Sequence, residues 1–246
     1  MNVFILAAGL GTRLKPLTDS MPKALVPVGG VPLLQILIEK LKAAFPENLN
    51  VVINIHHFAD QIINFVAQNE AFGINIQFSH ERDLLLETGG GLKKAAHLFP
   101  DTSPILIHNV DILSNIDLRE FYDRAVTHGG SLLLVSERKT SRYLLCNSND
   151  MLQGWVNVST GEQKGPCSPL HIDDYAMYAF SGIHVFDQSL LPMMEKWEDR
   201  FSIIDFYLSV CGSMPVRCFN LPSLRLLDVG KLDSLAQADI FRNTTD

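Results

Sequence analysis

The chain has 246 residues, a formal net charge of −7, and 19% charged and 47% hydrophobic residues. This length suits one large α/β domain or two small ones, and we expect a single domain with a sizeable core. The acidic balance argues against non-specific binding to nucleic acid. No apolar run reaches the roughly 18 residues of a membrane span, and no signal peptide is evident, so we expect a cytoplasmic protein without a membrane partner.

A buried strand followed by a glycine-rich loop opens the chain. The run from Val3 to Ala8 is apolar and uncharged, which predicts a strand buried on both faces. Gly9 and Gly11 follow it, and glycine can adopt backbone angles that turn N–H groups toward an anion. Arg13 and Lys23 add cations close to those amides. The loop therefore predicts a binding site for a polyphosphate.

Two common phosphate-binding motifs do not fit this loop. The pattern G-x-x-x-x-G-K-[ST] is absent, and the dinucleotide fingerprint G-x-G-x-x-G fails because Leu14 stands at its third glycine. The runs from Gly9 to Thr18 and from Pro22 to Val28 instead resemble the signature of sugar-phosphate nucleotidyltransferases, G-x-G-T-R-L-x-P-L-T followed by P-K-x-L-V-P-V.

The resemblance implies roles for the residues of this loop. The nucleotide-binding residues that it implies are Ala7, Ala8, Gly9, Gly11, Thr12, Arg13 and Lys23. Two of them are the implied catalytic residues, because Arg13 would stabilise the leaving pyrophosphate and Lys23 would contact the reacting phosphates. The implied reaction joins a nucleoside triphosphate and a sugar 1-phosphate, which gives a nucleotide sugar and pyrophosphate.

Strand and helix patterns alternate through the first half of the chain. They predict helices at Pro32 to Ala44 and Phe58 to Asn69, and strands at Asn50 to Ile55, Asn75 to Ser79 and Ile105 to His108. This alternation predicts an α/β, Rossmann-like fold with a mostly parallel central sheet and helices on both faces. Ligands of such sheets bind at the carboxyl ends of the strands, where the Gly9 loop falls.

Three consecutive glycines, Gly89 to Gly91, come after the third predicted strand. Glycine is unfavourable inside a helix, so we expect them to precede one and to lie flat against a planar ring. In the resembling family a base-contacting loop stands here, which implies nucleotide contacts from Thr88, Gly89 and Gly90. The form L-E-T-G-G-G is similar to the short bacterial N-acetylmuramate-1-phosphate uridylyltransferases.

Two aspartates follow predicted strands. Asp111 comes after the strand that ends at His108, where a carboxylate can hold Mg²⁺ against a phosphate. Asp228 ends a strand and precedes Gly230 and a helical pattern. The resembling family uses its D-V-G aspartate as a metal ligand, which implies a Mg²⁺ cofactor held by Asp111 and Asp228. Val110 departs from the glycine or alanine that is usual in the family.

The second half of the chain is less regular. We expect residues 1–136 to form a nucleotide-binding part, 137–230 a sugar-binding part with a small inserted β region, and 231–241 a closing helix. We expect Val158 to Asp174 to lack regular structure without substrate. The F-S-G-I run resembles a family segment that borders the sugar, which implies sugar-binding roles for Ser181 and Gly182, and Asn109 before Asp111 is a further predicted sugar-binding residue. We expect a compact form without the β-helix or acyltransferase domain of longer relatives.

The sequence leaves several substrates open. The preferred interpretation is uridylyl transfer from UTP to N-acetylmuramate 1-phosphate in cell-wall recycling, with mannose 1-phosphate guanylyl transfer as the nearest rival. Cytidylyl transfer to phosphocholine and a non-catalytic nucleotide-sugar sensor are further alternatives. A muramate sugar carries a lactyl carboxylate, and the basic residues available to face it are Arg138, Lys139, Arg142 and Lys164. The sequence does not select among these four residues, and it does not indicate an oligomeric state.

The four cysteines are scattered along the chain. No two of them form a C-x-x-C pair, so neither a zinc site nor a disulfide framework is indicated for Cys146, Cys167, Cys211 and Cys218. We expect buried free thiols.

Overall fold

The computed structural model describes residues 1–166 and 169–243, and a ten-stranded sheet forms its centre. The strands are β1 (Asn2–Leu6), β2 (Pro27–Val28), β3 (Val31–Pro32), β4 (Asn50–Ile55), β5 (Asn75–His80), β6 (Ile105–Asn109), β7 (Ile112–Ser114), β8 (Ser131–Ser136), β9 (Arg142–Cys146), β10 (Leu152–Asn157), β11 (Glu162–Lys164), β12 (Ala176–Phe186), β13 (Val216–Asn220) and β14 (Leu226–Asp228). The α-helices are α1 (Leu33–Ala44), α2 (Ala59–Gln68), α3 (Glu87–Ala95), α4 (Leu118–His128), α5 (Leu191–Met194), α6 (Ile203–Val210) and α7 (Leu232–Asn243).

The two halves of the sheet differ in strand direction. β1 pairs in parallel with β4 and β6, and β4 pairs in parallel with β5. β12 runs antiparallel to β6, β8 and β9, and β10 and β11 continue the antiparallel part. The predicted α/β, Rossmann-like class with a parallel centre is confirmed, and β12 joins that centre to the antiparallel strands. The division into nucleotide-binding and sugar-binding parts stays a prediction.

Apolar residues cover both faces of the sheet. Val3 and Ile5 belong to a core that α1, α2 and α4 cover, whereas Phe4 belongs to a second core with α3 and α6. Because successive side chains of a strand point to opposite faces, a strand covered on both sides is apolar throughout. This packing leaves the carboxyl ends of β1, β4 and β6 together at one edge, where their loops form a cavity.

The predicted elements of the first half agree with the structure to within two residues at each end. Asp117 is the N-cap of α4, because its Oδ1 accepts a 2.9 Å hydrogen bond from the Glu120 N–H. The expectation for Val158 to Asp174 is wrong in its described part, since β11 pairs with β10 and a short 3₁₀ helix forms at Ile172–Asp174. No helix in residues 1–166 and 169–243 has the length and apolar character of a membrane span.

Two of the cysteines are paired, which corrects the expectation of free thiols. Cys146 at the end of β9 and Cys218 in β13 form a disulfide, and their Cα atoms lie 6.8 Å apart. A separation of 72 residues gives no spacing motif, so only the fold brings the two residues together. Cys211 is a buried thiol whose Sγ donates to the Leu208 carbonyl at 3.5 Å. Cys167 lies outside the described residues.

Candidate active site

The glycine loop leaves the carboxyl end of β1 and folds back on itself. Gly11 has a φ of +63°, and a Cβ there would lie 2.8 Å from Thr18 Cγ2. Thr18 Oγ1 donates a 2.8 Å hydrogen bond to the Gly11 carbonyl, which holds this turn. A Cβ on Gly9 would meet nothing within 4 Å. The Gly11 turn therefore requires glycine, whereas Gly9 leaves open space beside its backbone.

A cavity of about 220 Å³ lies at the carboxyl ends of β1, β4 and β6, and we call it the strand-end cavity. The predicted site residues that line it are Ala7, Ala8, Gly9, Lys23, Thr88, Asn109 and Asp111. Gly11, Thr12 and Arg13 lie in the adjoining loop and do not line it. The fold thus brings together residues that were predicted from three separate motifs.

A buried hydrogen-bond network supports this cavity. The Ala7 and Ala8 N–H groups donate to Asn54 Oδ1 at 2.6 and 3.2 Å. Asn54 Nδ2 donates to Glu81 Oε1 at 2.7 Å, and Glu81 Oε2 accepts from the Leu86 N–H at 2.8 Å. Asn54 thus occupies the N–H groups of Ala7 and Ala8. These two alanines line the cavity with their remaining atoms.

The sequence interpretation missed three polar residues that line the cavity. Asn54 and Glu81 are buried, and a Cβ on Gly91 would lie 2.9 Å from Glu81 Oε1. Glu87 begins α3 with a φ of +62°, which is uncommon for a residue other than glycine. The sequence does contain a signal for Asn54 and Glu81. Asn54 is a polar residue near the end of one buried strand, and Glu81 is an acid directly after the next strand, so both lie at the edge of the sheet where ligands bind.

Four charged side chains cluster beside the strand-end cavity. Lys23 Nζ contacts Asp111 Oδ2, and these side chains are only 12% and 13% exposed. A Cβ on Gly230 would lie 2.6 Å from Asp228 Oδ1 and 2.8 Å from Arg13 Nη2, so Gly230 gives both groups room. Arg13, Lys23, Asp111 and Asp228 therefore form one cluster of alternating charge.

A small β-ribbon brings Asp228 to this cluster. β14 pairs antiparallel with β7, and Asp228 stands opposite Ile112 in this pairing. The Val229 N–H donates to the Asp111 carbonyl at 2.8 Å. The expected closeness of Asp228 and Asp111 is correct, but it arises from this separate two-stranded ribbon and not from neighbouring strands of the main sheet.

The pair of carboxylates has the properties of a partial metal site. Burial raises the pKa of Asp228, and the nearby Asp111 charge raises it further, while Lys23 and Arg13 act in the opposite direction. Asp228 Oδ1 is buried and has no hydrogen-bond partner in the described chain. No group of three or more histidine, cysteine or acidic ligands exists among the described residues. Two adjacent carboxylates fit a Mg²⁺ ion that takes its remaining oxygens from phosphate and water.

The glycines of α3 have a different role from the expected one. Gly89–Gly91 lie inside the helix and not before it, which corrects the expectation. A Cβ on Gly89 would lie 2.3 Å from the Phe201 ring, and a Cβ on Gly90 would lie 2.0 Å from the Asp199 carbonyl oxygen. The glycines let α3 approach the segment before α6, and this close packing outweighs their low helix propensity. Gly89 and Gly90 do not line the strand-end cavity, so their nucleobase contacts stay a prediction.

The residues predicted on the sugar side lie around Asn109. Gly182 has a φ of +75°, and a Cβ there would lie 2.8 Å from Asn109 Nδ2. Ser181 is buried, and its Oγ has no hydrogen-bond partner in the described residues. Asn109 lines the strand-end cavity, whereas Ser181 and Gly182 lie behind it. Thr88 also lines it, and its Oγ1 accepts from the Ile203 N–H at 2.9 Å.

A second cavity of about 520 Å³ lies over the antiparallel strands, and we call it the basic cavity. Its cations are Arg138, Arg142 and Lys164, and its aromatic residues are Trp155 and Phe180. Glu87 lines both cavities, so the two adjoin at the start of α3.

Known proteins resemble this chain in sequence and in structure. It is 44% identical over 109 residues to the N-acetylmuramate alpha-1-phosphate uridylyltransferase of Caulobacter vibrioides, covering 44% of each chain. It is 34% identical over 147 residues to the mannose-1-phosphate guanyltransferase of Gibberella zeae, covering 58% of this chain and 40% of that protein. The matched part thus spans less than half the length of either relative.

A solved structure shows the same fold. The putative glucose-1-phosphate thymidylyltransferase from Bacillus anthracis, in complex with a sucrose, matches with a TM-score of 0.80 and 18% identity. The match covers 98% of this chain and 94% of that one. The family model described as nucleotidyl transferase matches residues 2–244, and the chain therefore belongs to the nucleotidyltransferase family, as the motifs of its first loop predicted.

Proposed function

We propose that this protein transfers a nucleotidyl group from a nucleoside triphosphate to a sugar 1-phosphate and releases pyrophosphate. The observation that supports this most strongly is the cluster of Arg13, Lys23, Asp111 and Asp228 beside the strand-end cavity. Phosphoryl transfer depends on positioning and charge neutralisation more than on covalent chemistry by the protein. A cluster of two cations and two carboxylates suits that task.

In the proposed reaction an oxygen of the sugar phosphate attacks the α-phosphorus of the triphosphate. A bond forms between these two atoms, and the bond from the α-phosphorus to the oxygen that bridges to the β-phosphate breaks. Arg13 neutralises the charge that develops on the departing pyrophosphate, and Lys23 orients the reacting phosphates. Limited exposure of Lys23 and Asp111 strengthens their electrostatic interactions.

We propose that Asp111 and Asp228 hold a divalent cation, with Mg²⁺ preferred. The buried Asp228 Oδ1 without a partner in the described chain is the observation that supports this assignment. When bound, Mg²⁺ supplies positive charge against phosphate oxygens. The Asp228 side chain lies next to Asp111 although burial and the neighbouring negative charge both disfavour its ionised form. A cation shared by the two carboxylates would offset this cost.

The preferred substrates are UTP and N-acetylmuramate 1-phosphate, in the recycling of cell-wall sugar in the cytoplasm. This preference is supported by the identity of 44% with a relative that carries that activity in its name. Guanylyl transfer to mannose 1-phosphate is the second candidate, because a relative of that name is 34% identical. Transfer to phosphocholine and a sensor without activity have no comparable support.

The test is release of pyrophosphate with Mg²⁺, with UTP, GTP, CTP and dTTP crossed against four sugar 1-phosphates and phosphocholine. The sugars are N-acetylmuramate, N-acetylglucosamine, mannose and glucose. Selective turnover of UTP with the muramate sugar is the expected result. Turnover of GTP with mannose 1-phosphate would keep the reaction and replace the substrates. Absence of turnover with every pair, in protein shown to be folded, would favour the sensor.

A further inference from the structure

The basic cavity lies on one face of the antiparallel strands, and their register determines which side chains meet there. Asn157 of β10 stands opposite Arg142 of β9 and Glu162 of β11. Trp155, two residues earlier, stands opposite Leu144 and Lys164. Residues paired across strands share a face, and so do residues two apart along a strand. These six side chains therefore form two rows that line the cavity.

The charges of the cavity are unequally paired. Lys164 Nζ lies 2.9 Å from Asp205 Oδ1 and 3.8 Å from Glu162 Oε1, so two carboxylates neutralise this lysine. The Glu87 carboxylate accepts from Arg200 Nε at 3.1 Å. Each acidic side chain of the cavity therefore has a basic partner. Lys164 pairs with Asp205 and Glu162, and Arg200, which does not line the cavity, pairs with Glu87.

The two arginines of the cavity are its cations that no carboxylate of the described residues pairs, although its lining holds as many carboxylates as cations. Arg138 Nη2 donates to the Phe180 carbonyl at 2.9 Å, which holds its guanidinium in place. Within residues 1–166 and 169–243, neither Arg138 nor Arg142 forms an ion pair with a carboxylate. Arg142 also stands beside Asn157, whose amide adds a further hydrogen-bonding group. This corner of the cavity suits an anion that a ligand brings.

We propose that Arg142, assisted by Arg138, binds a carboxylate on the sugar of the sugar 1-phosphate, an assignment that rests on the proposed function. A planar guanidinium accepts a carboxylate through two parallel hydrogen bonds, a geometry that a lysine cannot supply. The Trp155 and Phe180 rings offer apolar surface for the sugar ring beside the charged corner. Glu87 connects this cavity to the strand-end cavity, which suits a substrate with its phosphate in one and its acidic substituent in the other.

This arrangement distinguishes four basic residues that the sequence leaves equivalent. Lys164 is neutralised by Asp205 and Glu162, and Lys139 is exposed and does not line the basic cavity. Arg138 already donates to the Phe180 carbonyl, so Arg142 is the specificity-determining residue, and Lys139 provides a control with the same loss of charge in the same segment.

The first arm of the test compares N-acetylmuramate 1-phosphate and N-acetylglucosamine 1-phosphate, two acceptors that differ only in the lactyl group that carries the carboxylate. For Arg142→Gln we expect kcat/KM to fall about tenfold with the muramate acceptor, chiefly through KM, and less than about twofold with the neutral acceptor. Arg142→Lys recovers part of the loss because it restores the charge without the fork. Lys139→Gln changes neither acceptor. Equal losses for both acceptors, or no loss, would overturn the proposal.

The second arm does not depend on turnover. Calorimetric titration measures the binding of UDP-N-acetylmuramate and UDP-N-acetylglucosamine to the wild type and to Arg142→Gln. We expect Arg142→Gln to weaken the acidic nucleotide sugar about tenfold and to leave the neutral one within about twofold. Equal binding of the two by the wild type would overturn the carboxylate site. Failure of turnover with normal selective binding would instead overturn the proposed function and leave the carboxylate site standing.

Discussion

The strand-end cavity and the basic cavity adjoin at Glu87, but they are built in different ways. The first lies where parallel strands end, and buried hydrogen bonds of Asn54 and Glu81, which Gly91 leaves room for, support its wall. The second lies over antiparallel strands, and Arg138 and Arg142, which form no ion pair with another described residue, are exposed there. We infer that changes at the strand ends disturb the reaction or the fold severely, whereas changes in the basic cavity alter the choice of sugar in an intact protein.

Replacing a carboxylate of the charged cluster gives the largest expected effect. Asp111→Asn keeps the shape of the side chain but removes the charge that faces Lys23. We expect kcat to fall about a hundredfold or more, because charge stabilisation in a shielded site contributes several kcal/mol to the barrier. Steady-state pyrophosphate release measures this change. Asp117→Asn is the control, since asparagine also caps helices and activity should be unchanged. Near-normal turnover of Asp111→Asn would contradict the role of this cluster.

Replacing the exposed arginine of the loop tests how far the cluster extends. Arg13→Ala should lower kcat by about tenfold to a hundredfold, because the pyrophosphate loses one cation. The effect is smaller than that of Asp111 because solvent screens Arg13. Lys15→Ala is the control, since this exposed lysine pairs with Asp19 at 3.0 Å on the loop surface. Equal losses in the two variants would mean that only the general charge of the loop matters.

Local patterns were sufficient to predict the fold class, and together with the family resemblance they indicated the residues of the charged cluster. The apolar run of β1 indicates a strand that is buried on both faces. The motifs that contain Arg13, Asp111 and Asp228 follow or end predicted strands, which indicates charged residues near the strand ends. The partners of Gly89 and Gly90 could not be predicted, because Phe201 and Asp199 lie more than a hundred residues further along the chain. A pattern that reports secondary structure carries no information about such distant packing.

The disulfide was missed, and the choice among the four basic residues stayed open, for the same reason. Cys146 and Cys218 meet only after β9 and β13 are in place. Among the described residues Arg142 has no ion pair, because strand register and the position of Asp205 on α6 bring the nearby carboxylates to Lys164 instead. Sequence patterns list the charged residues of a region, but only tertiary structure determines which of them neutralise one another.

Filling the space of one glycine tests how far the close packing of α3 against the segment before α6 stabilises the fold. Gly90→Ala puts a Cβ about 2.0 Å from the Asp199 carbonyl oxygen, which cannot move without its backbone. Alanine favours a helix by about 1 kcal/mol, but overpacking costs about 1–3 kcal/mol, and a clash with backbone belongs at the upper end. We expect a net loss of about 2 kcal/mol in the free energy of unfolding, measured by urea denaturation. Lys94→Ala, exposed on the same helix, should lie near the wild type, and a stable Gly90→Ala would contradict the packing role.

The seam between the parallel and antiparallel halves should make the protein sensitive to acid. His184 of β12 and His108 of β6 are buried there, and burial lowers their pKa values to about 3 and about 4. Below the ordinary value of 6.5 the unfolded chain takes up protons that the folded chain refuses, so stability falls as the pH falls from about 6.5 toward these folded values. Each buried histidine contributes a slope of about 1.4 kcal/mol per pH unit within that window.

Replacing one of these histidines isolates its share of the slope. His184 has no hydrogen-bond partner among the described residues, and its ring lies 5.5 Å from Phe180 and 5.6 Å from Tyr207. His184→Phe should therefore keep the packing and reduce the dependence of unfolding free energy on pH by about 1.4 kcal/mol per unit between pH 6 and 5. Urea denaturation at a series of pH values measures this slope, with the exposed His128→Gln as the control. If His184→Phe kept the slope of the wild type, the acid sensitivity would arise elsewhere, and the seam would not be the region of the fold that loses stability first.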